Sequence, residues 1–166
     1  GKVTKDKRTS WYMYGATGGK IKRYADWGVD AKYYPSGYRG GDFSMNGNVV
    51  LRAYIRELPL ILSGRFSQEF RSPAYWQENL LSNHYMWFNS LEKESETRLE
   101  VNFSVPSIAL ELGFWQGVMD NMIYYDGSSN ICQHTDLVSL TSLYARKDFR
   151  VGGFHFDHRA LVQISS

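Results

Sequence analysis

The sequence predicts an all-β fold, an antiparallel up-and-down meander of about eight or nine long strands forming part of a transmembrane β-barrel. Three observations point there. Apolar and polar residues alternate with period two along most of the chain. The alternating runs are separated by short Gly-, Pro-, Asn- and Ser-rich breaks, as in a meander. Only one stretch, residues 72–83, has the makings of a helical turn, and no βαβ crossover or fixed-period repeat is visible.

Taken in order, "SWYMYGAT" (10–17) reads as a strand, and Gly18-Gly19 after it as a two-residue hairpin turn, because both central residues of a type I′ turn need positive φ. The stretch "KIKRYADWGVDAKYY" (20–34) alternates with hardly a slip. Ile21, Arg23, Ala25, Trp27, Val29, Ala31 and Tyr33 fall on one face, and Lys20, Lys22, Tyr24, Asp26, Gly28, Asp30 and Lys32 on the other. Residues 34–48 are rich in Gly, Ser and Asn and read as a loop.

Residues 47–56 set Val49, Leu51, Ala53 and Ile55 against Asn48, Val50, Arg52, Tyr54 and Arg56. Glu57-Leu58-Pro59 reads as a break, since proline cannot donate to a ladder. Residues 60–71 then set Leu60, Leu62, Gly64, Phe66 and Phe70 against Ser63, Arg65, Ser67, Glu69 and Arg71. Ser72 and Pro73 suit the N-cap and first position of a short helix.

"HYMWF" (84–88) resumes a strand, "NSLEKESE" a polar turn, and residues 97–105 a strand with Leu99, Val101, Phe103 and Val105 on one face. Val105-Pro106-Ser107 is a tight break, and 108–125 reads as one long strand. A final hairpin turns around Lys147-Asp148, with Phe154, Phe156, Ala160, Val162 and Ile164 opposite His155, Asp157, Arg159 and Gln163. No linker divides the chain, which reads as a single unit over 1–166.

Composition narrows the classes. With 19 basic and 17 acidic residues spread along 166, the net charge of +2 gives no electrostatic footprint for nucleic acid. One cysteine, Cys132, makes neither an internal disulfide nor a multi-thiolate metal site. No stretch approaches the eighteen or so apolar residues of a transmembrane helix. The opening "GKVTKDKRTS" has no apolar core behind its charges, which fits a cytoplasmic protein, a mature exported chain or a piece of a longer one.

What the apolar faces look at is the question this pattern raises, and alternation alone leaves it open between a shared core and lipid. The runs at 20–34, 47–56, 60–71, 96–105 and 108–125 reach the roughly 9 to 11 residues of a tilted membrane-crossing strand. Trp11, Tyr12, Tyr33, Tyr34, Tyr38, Tyr124, Tyr125 and Tyr144 lie near predicted strand ends, and Tyr75, Trp76, Tyr85, Trp87 and Phe88 surround one loop. Interfacial aromatic belts would place them so. Against this, strict strand counting puts the tight breaks at 57–59 and 105–107 on opposite ends, whereas membrane barrels keep short turns on one side.

The segments "SNHYMWFNSLEKESE" (82–96), "DNMIYYD" (120–126) and "LYARKDFRVGGFHFDHRALVQISS" (143–166) resemble the large β-barrel porins of the Bacteroidetes outer membrane. Asn83, His84, Tyr85, Trp87 and Asn89 match one strand motif of that family. Lys147, Phe149, Arg150, Gly152, Phe154, His155 and Asp157 match a second, with small shifts. The match covers about 82–166, and residues 10–81 are compatible with it in character. The resemblance implies an internal segment of a bacterial outer-membrane barrel, in contact with lipid and with the remainder of the barrel or other envelope proteins. Passive diffusion of small hydrophilic solutes, or an envelope scaffold, would be its function.

No motif for catalysis stands out and no cofactor is implied. His155 and His158 point to opposite faces of one strand, His84 and His134 are isolated, and "RGGDFSMNGN" lacks the lysine of a phosphate loop. The candidates for function are the charges on the polar faces: Lys20, Lys22, Asp26, Asp30, Lys32, Arg52, Arg56, Arg65, Glu69, Arg71, Arg98 and Glu100. In a membrane barrel these line the lumen and tune which solutes pass. In the alternative, a soluble β-barrel or sandwich, they face water while Leu62, Phe66, Leu110 and Phe114 enclose an apolar ligand.

Overall fold

A computed structural model describes residues 9–82 and 86–166. Strands β1 (Ser10–Ile21), β2 (Ala25–Gly37), β3 (Phe43–Ile55) and β4 (Leu58–Arg71) follow one another directly. A four-residue helix α1 (Tyr75–Glu78) and a side hairpin of β5 (Asn79–Leu81) and β6 (Met86–Phe88) come next. Then follow β7 (Glu94–Val105), a 3-10 turn at Pro106–Ile108, β8 (Leu110–Asp120), a second side hairpin of β9 (Met122–Tyr125) and β10 (Ile131–His134), and finally β11 (Val138–Val151) and β12 (Phe154–Ser165). The long strands form one eight-stranded antiparallel sheet in the order β1-β2-β3-β4-β7-β8-β11-β12, which does not close into a barrel within this chain.

The register carries the alternation across the whole sheet. Directly paired residues share a face, and Val49↔Gly64↔Val101↔Phe114↔Leu143↔Val162 are all apolar or glycine. One residue along, Asn48↔Arg65↔Glu100↔Trp115↔Ser142↔Gln163 cross the opposite face. A slip of one residue anywhere would exchange the two faces, so the pattern pins the register.

The turns differ from the sequence expectation in an instructive way. The first hairpin turns at residues 22–24, not at Gly18-Gly19: Ile21 pairs with Ala25, and Lys22 takes φ 48°. A three-residue turn preserves parity between the strands it joins, so the alternation of 20–34 reads straight through it as if it were one strand. The two glycines lie inside β1, where Gly18 faces Gly28 and the Trp27 indole covers Gly19. The β3–β4 turn is Arg56-Glu57, both at positive φ (48° and 69°). Pro59 therefore sits in β4 opposite Tyr54. In a two-residue hairpin that is the non-hydrogen-bonded site, where a missing N–H costs the ladder nothing.

Other boundaries shift for similar reasons. The loop expected over 34–48 shrinks to 38–42, because Gly and Asn residues extend β2 and β3. The last hairpin turns at Gly152-Gly153, with Val151 paired to Phe154, so Lys147 and Asp148 lie within β11. The expected strand 108–125 breaks at Asn121, whose φ is 56°. Helix α1 is capped at Ala74, and Ser72 instead bonds Asp42. Tyr144 is in the interior of β11, not at its end. Asn83, His84 and Tyr85 lie outside the described residues.

Because β5 and β6 form a side hairpin, they do not count toward the main sheet, and the turn topology becomes regular. The short turns at 22–24, 56–57, 106–109 and 152–153 all fall at one end. The longer connections 38–42, 72–93 and 121–137 all fall at the other. The tight breaks that strand counting placed on opposite ends are thus on the same end.

The sheet has no core of its own. Among the described residues the buried hydrophobic side chains are Tyr34, on the polar face, and Ile131, in the side hairpin. On the apolar face Trp27, Leu51, Leu62, Leu112, Leu143 and Val162 are all more than 40% exposed. Leu62, Phe66, Leu110 and Phe114 share this open face, on which Leu62 is 41% exposed.

Candidate functional site

The polar face gathers most of the charges picked out in the sequence. Lys20, Asp26, Asp30, Lys32, Arg52, Arg65, Glu69, Arg71, Arg98 and Glu100 all project from the same side of the sheet, whereas Lys22 and Arg56 occupy the tight turns. The charges are compensated locally. Arg52 Nη1 lies 2.5 Å from Asp26 Oδ2, and Lys20 is 3.9 Å from the same carboxylate. Arg65 reaches Glu100 at 3.8 Å, Arg71 lies 3.0 Å from Glu94 and 3.7 Å from Glu69, and Arg98 is 2.5 Å from Glu96. Asp30 accepts a 2.9 Å bond from the Asn46 amide, and Lys32 sits over the rings of Tyr12 and Tyr34 at 4.3 and 4.9 Å. Where like charges face each other, as Glu69 and Glu96 do, each is neutralised by an arginine two residues along its own strand.

The same compensation continues into β11 and β12. Arg146 lies 3.6 Å from Asp148 and 3.3 Å from Asp157, and Arg159 lies 2.7 Å from Asp157. His155 faces Asp148 at 3.6 Å on this polar side, while His158 stacks on Phe156 and meets Phe149 edge-on on the apolar side. The two imidazoles are on opposite faces, as their spacing predicts. No group of three or more potential metal ligands comes together among the described residues.

Sequence reasoning missed the network at the loop end. Asp42 is 1% exposed and is the hub. Its Oδ2 accepts from Arg39 Nε at 2.8 Å, and its Oδ1 from the Ser72 amide at 2.8 Å, the Ser72 hydroxyl at 2.7 Å and Lys93 Nζ at 3.0 Å. Burial pushes the Asp42 carboxyl up, but the bonds from Ser72, Arg39 and Lys93 outweigh it and hold the group below the usual carboxylate range. The connection 72–93 is tied in turn to 121–137. Gln133 brackets the Glu92 backbone at 2.9 and 2.8 Å, Glu94 accepts from the Ile123 amide at 2.9 Å, and Trp76 stacks on Tyr125 with ring centres 6.2 Å apart. No motif signals this network, because its members come from three connections far apart in the chain.

A single sheet with one continuous apolar face, one charge-compensated polar face, tight turns at one end and organised loops at the other has the layout of a β-barrel wall, left open within this chain. The chain belongs to the porin family described as "Putative porin", whose model matches residues 2–166. No curated protein and no solved structure matches it.

Proposed function

We propose that the chain forms part of the wall of a bacterial outer-membrane channel that lets small hydrophilic solutes diffuse passively. The uncovered apolar face is the observation that carries this reading: a continuous surface of Trp, Leu, Val and Phe with no buried partner suits lipid. Family membership supports the porin class, and the turn topology fits a barrel with short turns on one side of the membrane and long loops on the other. On this reading Trp27 and Val29 face lipid, while Asp26, Arg52, Arg65 and Glu100 face the aqueous lumen. The free edges of β1 and β12 pair with the remainder of the barrel.

The test is reconstitution of the protein, as its gene encodes it, into planar lipid bilayers from detergent. Stepwise ohmic conductance in KCl is the expected result. A protein that stays monomeric and β-rich in detergent-free buffer, and adds no conductance, would overturn the proposal.

A further inference from the structure

The geometry points to a subsite for a neutral saccharide on the polar face, centred on Trp115, and this rests on the channel reading above. At mid-height of the sheet one register row runs through Asn48, Arg65, Glu100 and Trp115. The Trp115 ring leans along β8 onto Gly117. A Cβ at Gly117 would stand 2.5 Å from Trp115 Cη2 and 3.0 Å from Cζ2. Only glycine leaves that space, so the indole lies along the sheet and, with Val50 across the groove, offers an apolar surface among the charged and amide side chains of this face. Beside it runs a groove of about 570 Å³, in the size range of small-molecule sites. Asn46, Asn48, Arg65, Arg98, Glu100 and Trp115 are among its lining residues.

The chemistry of the lining selects the ligand class. The Arg65 guanidinium is 3.8 Å from Glu100, Arg98 is 2.5 Å from Glu96, and Asn102 donates to Glu100 at 2.7 Å. Charges paired in this way leave no excess of one sign to retain an ion. They still present planar donors and acceptors, with amide, guanidinium and carboxylate edges spread across neighbouring strands. A pyranose ring matches both features: its C–H face packs on an indole, and its hydroxyls radiate toward planar hydrogen-bonding groups. A free aromatic solute would leave these polar groups unmatched, and an anion or cation would find the site already neutralised.

The experiment uses the reconstituted channel, with raffinose as the neutral saccharide and a polyethylene glycol of matched hydrodynamic size as the control. Raffinose is expected to reduce the current saturably, and the glycol only in proportion to its concentration. Relative to each variant's own sugar-free current, Trp115→Ala should raise the half-saturating raffinose concentration by about tenfold or more, and Trp115→Phe should restore most of it. Two results would overturn the subsite while leaving the channel intact: a conducting channel in which raffinose and glycol act alike, or saturable block unchanged by Trp115→Ala. Absence of any conductance would overturn the channel reading and this proposal together. If Trp115→Ala fails to assemble, Trp115→Phe carries the test of position, and raffinose acting like the glycol on the unsubstituted protein still overturns the subsite.

Discussion

Lys93 Nζ lies 3.0 Å from Asp42 Oδ1, so a salt bridge joins the connection after β6 to the loop between β2 and β3. Because Asp42 is buried and also holds Arg39 and Ser72, its removal takes a bond from each of three partners. Asp42→Ala is expected to destabilise the loop end by about 1.5–3 kcal/mol, the scale of hydrogen bonds to a charged group. Limited trypsin digestion of the reconstituted protein should then cut at Arg39 and Lys93, sites the unsubstituted protein protects. Unchanged digestion would show that the network adds no order.

The same carboxylate makes the loop end acid-sensitive. Its folded-state pKa is lowered, so the stability it contributes is present above the unfolded-state pKa of about 3.9 and is lost as pH falls through and below it. Near-UV circular dichroism, which reads the Trp76–Tyr125 stack, should hold steady from neutral pH to about pH 5 and fall below about pH 4. A transition centred near neutrality would assign the effect to another group.

Adjacent residues on β4 test the two faces directly. Leu62 belongs to the apolar face and Ser63 to the polar one. In a bilayer, Leu62→Arg should cost up to about 2–4 kcal/mol, depending on its depth in the membrane, while Ser63→Arg on the polar side should cost far less. Urea titration of the protein in lipid vesicles measures both. Equal costs would mean that lipid does not cover the Leu62 side.

Gly113 offers a test of packing on the polar face. A Cβ there would fall 1.9 Å from Tyr144 Cε1, and the Tyr144 hydroxyl donates a 2.6 Å bond to Asn102 Oδ1. Gly113→Ala must push the ring aside and break that bond, with an expected loss of about 1–3 kcal/mol. A paired Tyr144→Ala should recover most of the steric part, measured by the same titration.

On the proposed channel reading, charge balance on the polar face predicts ion selectivity. With Arg65 paired to Glu100 and Arg52 to Asp26, the channel should discriminate weakly between K⁺ and Cl⁻. Replacing Arg65 with Ala frees Glu100, and the reversal potential in a KCl gradient should move in the cation-selective direction. An unchanged reversal potential would place these groups outside the conducting path.

Much of the fold was legible because it depends on local parity. The face assignments of Val49, Leu62, Val101 and Phe114, and of Asn48, Arg65 and Glu100, read directly from alternation, and the register keeps each set together. The turns were less legible. Gly-Gly marks a turn at 152–153 but lies inside a strand at 18–19, and the sequence around the two pairs is equally permissive. What separates them is the partner strand: Trp27 and Gly28 lie opposite the first pair. The turn at 22–24 was hidden because three residues preserve the parity that reveals strands.

The sequence by itself determined that the chain is all-β and two-faced, since a period of two is imposed by the backbone of every extended strand. Only the tertiary structure decided which strands join the sheet and which form side hairpins, and hence that all the tight turns share one end. It alone brought Asp42, Ser72 and Lys93 together and laid Trp115 over Gly117. Pairing partners and close approaches arise between segments distant in the chain, where no local periodicity records them.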